Sequence, residues 1–545
     1  MTTFEGPPLA EFPGIGALTL GAFLEEVTLR FAPHEALVFD DPMRNGATLR
    51  WTYAELGRQA HRVAQGLRAA GVQRGDAVGI LMGNRPEAVA GIFGAALAGA
   101  IAAPLSTFAP QRELAFMLRR AQVRVVLTQD RLRQRRFGDD LDALRAQLPD
   151  LTTVAVVGTP SWDGFLTAPP DPAAPVAEAV TPDDPAVVIF SSGTTSVPKG
   201  MLHAHRSPTL QFWVQAQIFG RHPATRMWTA LPLFWTAGFN TAMGSTLAAG
   251  GCWVMQETFE PAAALALMER ERVTEPYSLP HQTAALAEHP AWATTDLSSL
   301  TCVFGKSAFA HHPRVTGDPA WMMPVGYGLS ETCAFFVSHW CTTPRPLTKQ
   351  SMGRLLPGNR LRIVDPDSAR VLGVDEEGEL AVAGPTLFRR YLGEADGASL
   401  DADGFFHTGD AGHVDAEGYV HFSGRRTEMI KTGGANVSPA EIEVQLRAMP
   451  AVKLSRIVGI PDPRLDQVVV ACITLKDGAE ASAEDIRAFL KDRVAAYKVP
   501  RHVLFFADGE IPMTASATKV RDDALLALVQ HRLALHPVPT TPGAP

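Results

Sequence analysis

The chain has 545 residues and a formal net charge of −8, and 46% of its residues are hydrophobic and 19% charged. This length and composition predict a globular protein of about three or four domains with a core large enough to need no disulfide bonds. The slightly acidic balance argues against a dedicated nucleic-acid-binding protein, which would carry a basic stripe.

The five cysteines include no CxxC pair, which argues against a disulfide scaffold and against a thiolate zinc site. We therefore expect reduced thiols and a cytoplasmic protein. The N-terminal residues show no basic segment followed by an apolar one, so no secretory signal is predicted. The longest apolar stretch, residues 89–105, is short for a membrane span and rich in Ala and Gly, which predicts a packed core helix.

The first third of the chain alternates helical and strand patterns. Thr52 and Glu55 have the capping-box spacing at the start of a helix that ends near Gly71. Strands are predicted at residues 77–82, 124–128 and 153–157. This alternation predicts an α/β fold with a parallel sheet covered by helices.

Two further segments are predicted to lie at the protein surface. The arginines between residues 131 and 136 are predicted to line a solvated helix face. Residues 158–185 are rich in Pro, Ala and Asp and are predicted to be a surface connection.

The end of the chain is predicted to be a separate small α+β domain. We expect a large N-terminal domain at residues 1–424, the small domain at 425–536 and a disordered tail at 537–545. Within the small domain the pattern predicts helices at residues 441–449 and 482–497, and strands at 456–460 and 468–475.

The strongest local signal is VVIFSSGTTSVPKG at residues 187–200, where an apolar strand runs into a loop of Ser, Thr and Gly that ends in Pro-Lys-Gly. Backbone amides, hydroxyls and one ammonium suit a polyphosphate. By composition alone, an ordinary polar turn is an equally good interpretation.

The exact order of this loop resembles the phosphate-loop signature of the adenylate-forming superfamily, which includes acyl-CoA synthetases, standalone adenylation domains and firefly-type luciferases. Other segments resemble the family's motifs in the family's order: residues 74–87, 326–332, 351–365, 378–393, 406–410, 424–443 and 457–471. The resemblance covers nearly the whole chain. It implies a large N-terminal domain that binds AMP and the acyl group, followed by a mobile lid domain.

The resemblance implies an acid–CoA ligase with ATP, Mg²⁺ and coenzyme A as cofactors. A small-molecule carboxylic acid and ATP would give an acyl-adenylate and pyrophosphate, and the CoA thiol would then displace AMP. An enzyme that loads an acyl carrier protein stays open, as do a luciferase-like oxygenase and a non-catalytic nucleotide-binding relative. Family members are monomers or homodimers.

The family's motifs also imply the site residues. The catalytic group would be Lys519, Glu331, Thr194 and Lys199, with Glu331 as the Mg²⁺ ligand. Tyr327 would stack on adenine, and Asp410 would accept from the ribose hydroxyls. The remaining residues expected to bind ATP or coenzyme A are Ser191, Ser192, Gly193, Thr195, Gly305, Gly328, Ser330, Arg425, Gly433 and Gly434.

Three positions of the nucleotide site and the hinge depart from the family pattern. Ser330 stands where the family usually has Thr. Lys519 comes one residue later than the family's lysine, after Ala517 and Thr518, and it would bridge the carboxylate and the α-phosphate. Thr427 stands where the family has an Asp or Lys hinge.

The acyl pocket is expected to be mainly apolar and to take an aryl, alicyclic or fatty acid. Its expected residues are Trp235, Phe239, Lys306, Cys333 and Phe335. Residues 231–240 contain no acidic side chain to pair with an α-amine, which disfavours an amino acid substrate. Lys306 stands where the family has a small residue, and it either faces solvent or merely shortens the pocket, or it pairs with an oxygen or second carboxylate of the substrate. The last alternative requires a partner, because an unpaired buried lysine is costly.

The pair His203 and His205 has a spacing that a metal site can use, but it matches a family segment at the start of a helix. A structural role is therefore expected for both histidines. The other histidines form no zinc pattern.

Overall fold

A computed structural model describes most of the chain. The described residues are 2–169, 180–190, 198–304, 307–315, 324–348, 350–366, 368–425, 430–432, 435–437, 439–462, 465–491, 493–494, 498–513 and 520–535. The fold is α/β, with a large N-terminal domain and a small C-terminal one, as predicted.

A seven-stranded sheet forms the first layer of the N-terminal domain. Its strands, in spatial order, are Arg390–Tyr391, Gly200–Ala204, Pro185–Phe190, Ile101–Pro104, Ala77–Leu81, Val123–Gln129 and Thr153–Val157. The last five run parallel, whereas the first two are antiparallel to their neighbours. The predicted strands of the first third are thus confirmed, and they lie side by side.

A second, mainly parallel sheet packs over the same core. Its strands, in spatial order, are Glu275–Pro276, Arg226–Thr229, Cys252–Met255, Glu35–Asp41 and Ala47–Thr52. One apolar cluster takes residues from both sheets and from the helices between them, so the two layers share a core. The helices of this half are Leu20–Arg30, Tyr53–Ala69, Pro86–Leu97, Gln111–Arg120, Phe137–Leu144, Pro160–Thr167, Arg206–Ile218, Ser245–Ala248, Pro261–Arg270 and Pro280–Glu288, with a π-helix at Ala237–Gly244.

Three of the local predictions for this half can be compared directly. Thr52 caps the helix Tyr53–Ala69 by accepting from the Glu55 amide, as the capping box predicted. The apolar stretch at 89–105 is helical only to Leu97 and then continues as the buried strand Ile101–Pro104. Among the described helices, none has both the length and the apolar character needed to cross a membrane.

Two predictions are wrong. The arginine run forms a hairpin of Arg131–Leu132 with Arg135–Arg136, not a helix face. The Arg135 guanidinium binds Asp140 and the carbonyls of Thr107 and Ala109, and these tertiary partners hold the segment extended. Residues 160–167 of the expected surface connection are helical, because Trp162, Phe165 and Leu166 are buried in the main core.

Antiparallel sheets complete the N-terminal domain near the candidate site. One contains Phe4–Glu5, Arg360–Val364, Gly378–Ala383, Phe406–Val414 and Val420–Arg425. A three-stranded sheet contains Gly326–Leu329, Ala334–Ser338 and Arg354–Leu355, and the short helix Arg345–Thr348 lies between its last two strands. Short 3₁₀ helices occur at Leu9–Glu11, Pro42–Arg44, Arg145–Gln147 and Ala308–His311.

The C-terminal part builds its own sheet and core. Its strands, in spatial order, are Ala435–Val437, Ile430–Thr432, Asp466–Leu475 and Val452–Asp462, and His502–Phe505 also pairs with Asp466–Leu475. Its helices are Pro439–Arg447, Ala483–Lys491 and Asp522–Leu535. Two apolar clusters draw only on residues from Ile430 onward, as expected of a separate domain. The boundaries at 424/425 and 536/537 stay predictions, and the tail 537–545 lies outside the described residues.

Both helices predicted for this part are present, but their bounds differ, and the first covers Pro439–Arg447 where 441–449 was predicted. The second one is described as helical over Ala483–Lys491, shorter than the predicted 482–497, and residues 495–497 lie outside the described part.

The predicted structural role fits His203 and His205. The Nδ1 atom of His205 accepts from the Leu20 amide at 3.1 Å, which ties the first helix to the sheet. Burial lowers the pKa of both histidines to about 4, so both are neutral at pH 7. In the part of the chain that is described, no group of three or more His, Cys, Asp or Glu side chains is arranged to hold a metal ion.

The neutral state of His205 predicts acid sensitivity. The folded protein protonates His205 only near pH 4, whereas the unfolded chain does so near 6.5. The unfolding free energy should therefore fall as the pH drops from 6.5 to 4. His205→Asn, which keeps an acceptor but does not titrate, should show a smaller fall in urea titrations at several pH values. The exposed His531→Asn is the control, and equal pH slopes in wild type and His205→Asn would contradict the assignment.

Candidate active site

The phosphate-loop hairpin places Lys199 at the edge of the seven-stranded sheet. Strand Pro185–Phe190 leads into the loop, and strand Gly200–Ala204 returns antiparallel to it. Lys199 directly precedes the return strand and is exposed. Its Nζ lies 5.0 Å from the centre of the Tyr391 ring, within cation–π range.

Glu331 is held from two sides by the segment 388–391. The Tyr391 hydroxyl donates to Glu331 Oε1 at 2.7 Å, and the Phe388 amide donates to the Glu331 carbonyl at 2.7 Å. No basic side chain of the described ranges pairs with Glu331. Its carboxylate charge is therefore fixed in place and not neutralised by a described cation.

Tyr391 is fixed by strand pairing with the residues that follow Lys199. Tyr391 lies opposite Met201 in the antiparallel pair, and the Leu392 amide donates to the Gly200 carbonyl at 2.8 Å. The Phe388 and Tyr391 rings pack with their centres 4.7 Å apart. One short strand thus brings Lys199 and Glu331 to the same phenol.

The turn after Glu331 has an unusual backbone. Cys333 and Ala334 have φ values of 63° and 152°, a region that non-glycine residues rarely adopt. Such strain costs about 1–3 kcal/mol per residue and persists where the surroundings impose it. At Gly328, an added Cβ would lie 1.8 Å from the Ala334 carbonyl oxygen, so only glycine fits opposite this turn.

Buried amide side chains impose this turn. Gln211 Nε2 donates to the carbonyls of Thr332 at 3.1 Å and Phe335 at 2.6 Å, and Asn240 Nδ2 donates to the Cys333 carbonyl. Asn240 lies in the π-helix Ala237–Gly244, and π-helical turns are frequent at functional sites. The segment expected to line the acyl pocket is thereby joined to the turn that carries Glu331.

A second acidic centre forms around Asp410, which is 2% exposed. The Tyr327 hydroxyl donates to Asp410 Oδ2 at 2.7 Å, and the Tyr327 ring stacks on Phe422 at 5.3 Å. Asp410 lies opposite Arg425 in the strand pair. The structure thus brings Tyr327 and Asp410 together, although they lie 83 positions apart in the chain.

Of the residues expected to line the acyl pocket, those that are described are mostly enclosed. Phe239 and Cys333 have no exposed surface, and burial raises the pKa of the Cys333 thiol to about 12, so it stays neutral at pH 7. Phe335 packs on Phe219 at 6.2 Å. Trp235 is partly exposed and packs edge-on against Phe234, its neighbour in the chain, at 5.9 Å.

Phe108 adds a residue that the sequence analysis missed. Its ring centre lies 5.4 Å from Phe234 and 6.3 Å from Trp235, and 42% of Phe108 is exposed. The three rings form an aromatic corner beside the expected acyl pocket. A lone phenylalanine in residues 106–110 gives no sequence signal for this contact.

Several expected site residues are not described. They are Ser191, Ser192, Gly193, Thr194, Thr195, Gly305, Lys306, Gly433, Gly434, Lys519 and the hinge candidate Thr427. Ser330 is described and its carbonyl accepts from the Cys333 amide at 3.1 Å, inside the strained turn.

Comparison with known families matches both parts of the chain. Residues 24–392 match the AMP-binding enzyme family, and residues 441–518 match the AMP-binding enzyme C-terminal domain. A feruloyl-CoA synthase from Amycolatopsis sp is 32% identical over 89% of this chain and 94% of its own length. An indoleacetate–CoA ligase from Aromatoleum aromaticum is also 32% identical, over 88% of this chain and 94% of its own length.

Solved structures are also similar to this chain over nearly its whole length. An anthranilate CoA ligase in complex with anthranoyl-AMP aligns with a TM-score of 0.80 and 26% identity, covering 96% of this chain and 99% of that one. ATP-bound MatB from Rhodopseudomonas palustris aligns with a TM-score of 0.78 and 25% identity, covering 94% and 99%.

Asn240 offers a test of how the strained turn is held. Asn240→Leu keeps similar volume but leaves the buried Cys333 carbonyl without this donor, which should lower the unfolding free energy by about 1–3 kcal/mol. Chemical denaturation measures the loss. The exposed Gln134→Leu is the control, and an Asn240→Leu protein as stable as that control would show that the amide does not hold the turn.

Proposed function

The chain belongs to the AMP-binding enzyme family, and from this premise we propose that it is an acid–CoA ligase whose substrate is an aromatic carboxylic acid. Acid–CoA ligation runs through an acyl-AMP and uses ATP and coenzyme A. The observation that carries the ATP-dependent ligation is the meeting of Lys199 and Glu331 at one phenol, because an ammonium and a carboxylate so placed can serve one polyphosphate.

In the first half-reaction a carboxylate oxygen of the acid bonds to the α-phosphorus of ATP, and the bond from that phosphorus to the bridging oxygen of pyrophosphate breaks. Both reactants are anions, so the protein contributes mainly by positioning and charge neutralisation. Lys199 would neutralise charge on the β- and γ-phosphates, and Thr194 and Thr195 of the loop would help to hold these phosphates. Ser330, beside Glu331, would contact the α-phosphate, and Lys519 would bridge the two reacting groups.

Glu331 is the residue that would hold Mg²⁺. Its fixed carboxylate has no described basic partner, and protein-bound Mg²⁺ commonly takes one or two carboxylates together with substrate phosphates. The cation would supply further charge neutralisation when bound.

Asp410 and Tyr327 would position the nucleoside. A carboxylate is an acceptor only, which suits the two ribose hydroxyls, and Tyr327 orients Asp410 through the 2.7 Å hydrogen bond. Arg425 and Gly328 would border the same site.

In the second half-reaction the thiol sulfur of CoA bonds to the acyl carbonyl carbon, and the bond from that carbon to the AMP oxygen breaks. Gly433 and Gly434 would let the pantetheine arm pass close to the backbone, and the C-terminal domain would rotate between the two half-reactions.

The aromatic substrate is inferred from the pocket segment and from the relatives. Trp235, Phe234 and Phe108 form an aromatic corner beside a segment without acidic residues, and flat apolar walls favour a planar acid. Feruloyl, indoleacetate and anthranilate are the acids in the names of the similar proteins.

A panel of acids with ATP, Mg²⁺ and CoA tests this proposal by mass detection of acyl-CoA and AMP. Ferulate, indole-3-acetate, anthranilate and benzoate should give more product than octanoate, cyclohexanecarboxylate or malonate. A preference for the aliphatic acids would contradict the aromatic pocket. Pyrophosphate release without acyl-CoA would point to a carrier protein as the acceptor, and a preference for a second carboxylate would support an inward Lys306.

Lys519 gives a prediction that separates the two half-reactions. Lys519→Ala should slow acyl-AMP formation about 10²- to 10³-fold, because a preorganised charge is lost at the reacting phosphate. Its rate of thioester formation from supplied acyl-AMP should stay near that of wild type. Rapid-quench measurement of each step checks this, with Lys476→Ala as a control, and equal slowing of both steps would contradict the role.

A further inference from the structure

Tyr391 lies between two opposite charges that do not pair with each other. Its ring faces the Lys199 ammonium at 5.0 Å, and its hydroxyl donates to Glu331 Oε1 at 2.7 Å. Among the described ion pairs, none joins Lys199 with Glu331. An ammonium and a carboxylate this close to one side chain would otherwise attract each other directly.

The hydroxyl and the ring act on different partners. By donating to Oε1, the hydroxyl fixes the direction of the Glu331 carboxylate and leaves Oε2 for another ligand. The ring attracts the ammonium by its negative face, at a distance that leaves all three N–H groups able to donate to anions.

The backbone around Tyr391 makes this placement rigid. Strand Arg390–Tyr391 pairs with Met201 and Leu202, just after Lys199, and the Phe388 amide holds the Glu331 carbonyl. The phenol is therefore anchored to both charged residues through the backbone as well as through its side chain.

We propose that Tyr391 is a positioning residue that keeps Lys199 and Glu331 from neutralising each other, so that the ammonium stays available to phosphate and the carboxylate to Mg²⁺. This inference rests on the proposed function. It assigns the hydroxyl to the metal side of the site and the ring to the phosphate side.

The test is the affinity for ATP, measured by calorimetry at a series of Mg²⁺ concentrations. Tyr391→Phe keeps the ring and removes the hydroxyl, so it should need about 10-fold more Mg²⁺ to reach half of its full ATP affinity. Tyr391→Leu removes the ring too, which permits a Lys199–Glu331 pair, and it should also weaken ATP binding at saturating Mg²⁺.

Tyr53→Phe is the matched control, because the Tyr53 hydroxyl is buried and donates to the Gly251 carbonyl at 2.7 Å, away from the site. It should lower stability without moving the Mg²⁺ dependence. A Tyr391→Phe protein with wild-type Mg²⁺ dependence, or with an ATP affinity lowered equally at every Mg²⁺ concentration, would overturn the inference.

A failure of the proposed function can be distinguished from a failure of the Tyr391 inference. Normal Mg²⁺-dependent ATP binding without acyl-CoA formation from any acid would contradict the ligase and leave the Tyr391 result valid. A wild-type protein that binds no ATP in Mg²⁺ would overturn both.

Discussion

The antiparallel pairing of strand Arg390–Tyr391 with strand Gly200–Ala204 joins the two halves of the candidate site. One strand follows the phosphate loop, and the other belongs to a segment that also binds Glu331. Parallel strands alone would leave this edge of the sheet open, with unpaired amides and carbonyls. The two short antiparallel strands cover it and fix the distance between the basic and acidic groups.

The rest of the site follows from this constraint through buried polar side chains. Gln211 and Asn240 bind carbonyls of the turn after Glu331, and their hydrogen bonds stabilise a backbone that would otherwise relax. Asn240 lies in the π-helix beside the expected acyl pocket, so its hydrogen bond joins that helix to the turn that carries Glu331.

Burial keeps several thiols and imidazoles of the described chain neutral. Burial raises the pKa of the thiols of Cys252, Cys333 and Cys472 to about 12, so they stay protonated and unreactive at pH 7. His203 and His205 are neutral for the same reason.

The sequence by itself determined the fold class, the family and the charged residues proposed for the site. Four residues of the candidate site lie in short sequence motifs: Lys199, Glu331, Tyr327 and Asp410. Such motifs can be recognised from the order of residues in the sequence. The structure alone revealed the contact of Tyr391 with Glu331, the hydrogen bond from Asn240 to the Cys333 carbonyl and the arginine hairpin at 131–136. Tyr391 lies 60 positions from Glu331, and Asn240 lies 93 positions from Cys333. Contacts between residues so far apart in the chain depend on how sheets and helices pack. The local spacing of residue types does not predict that packing.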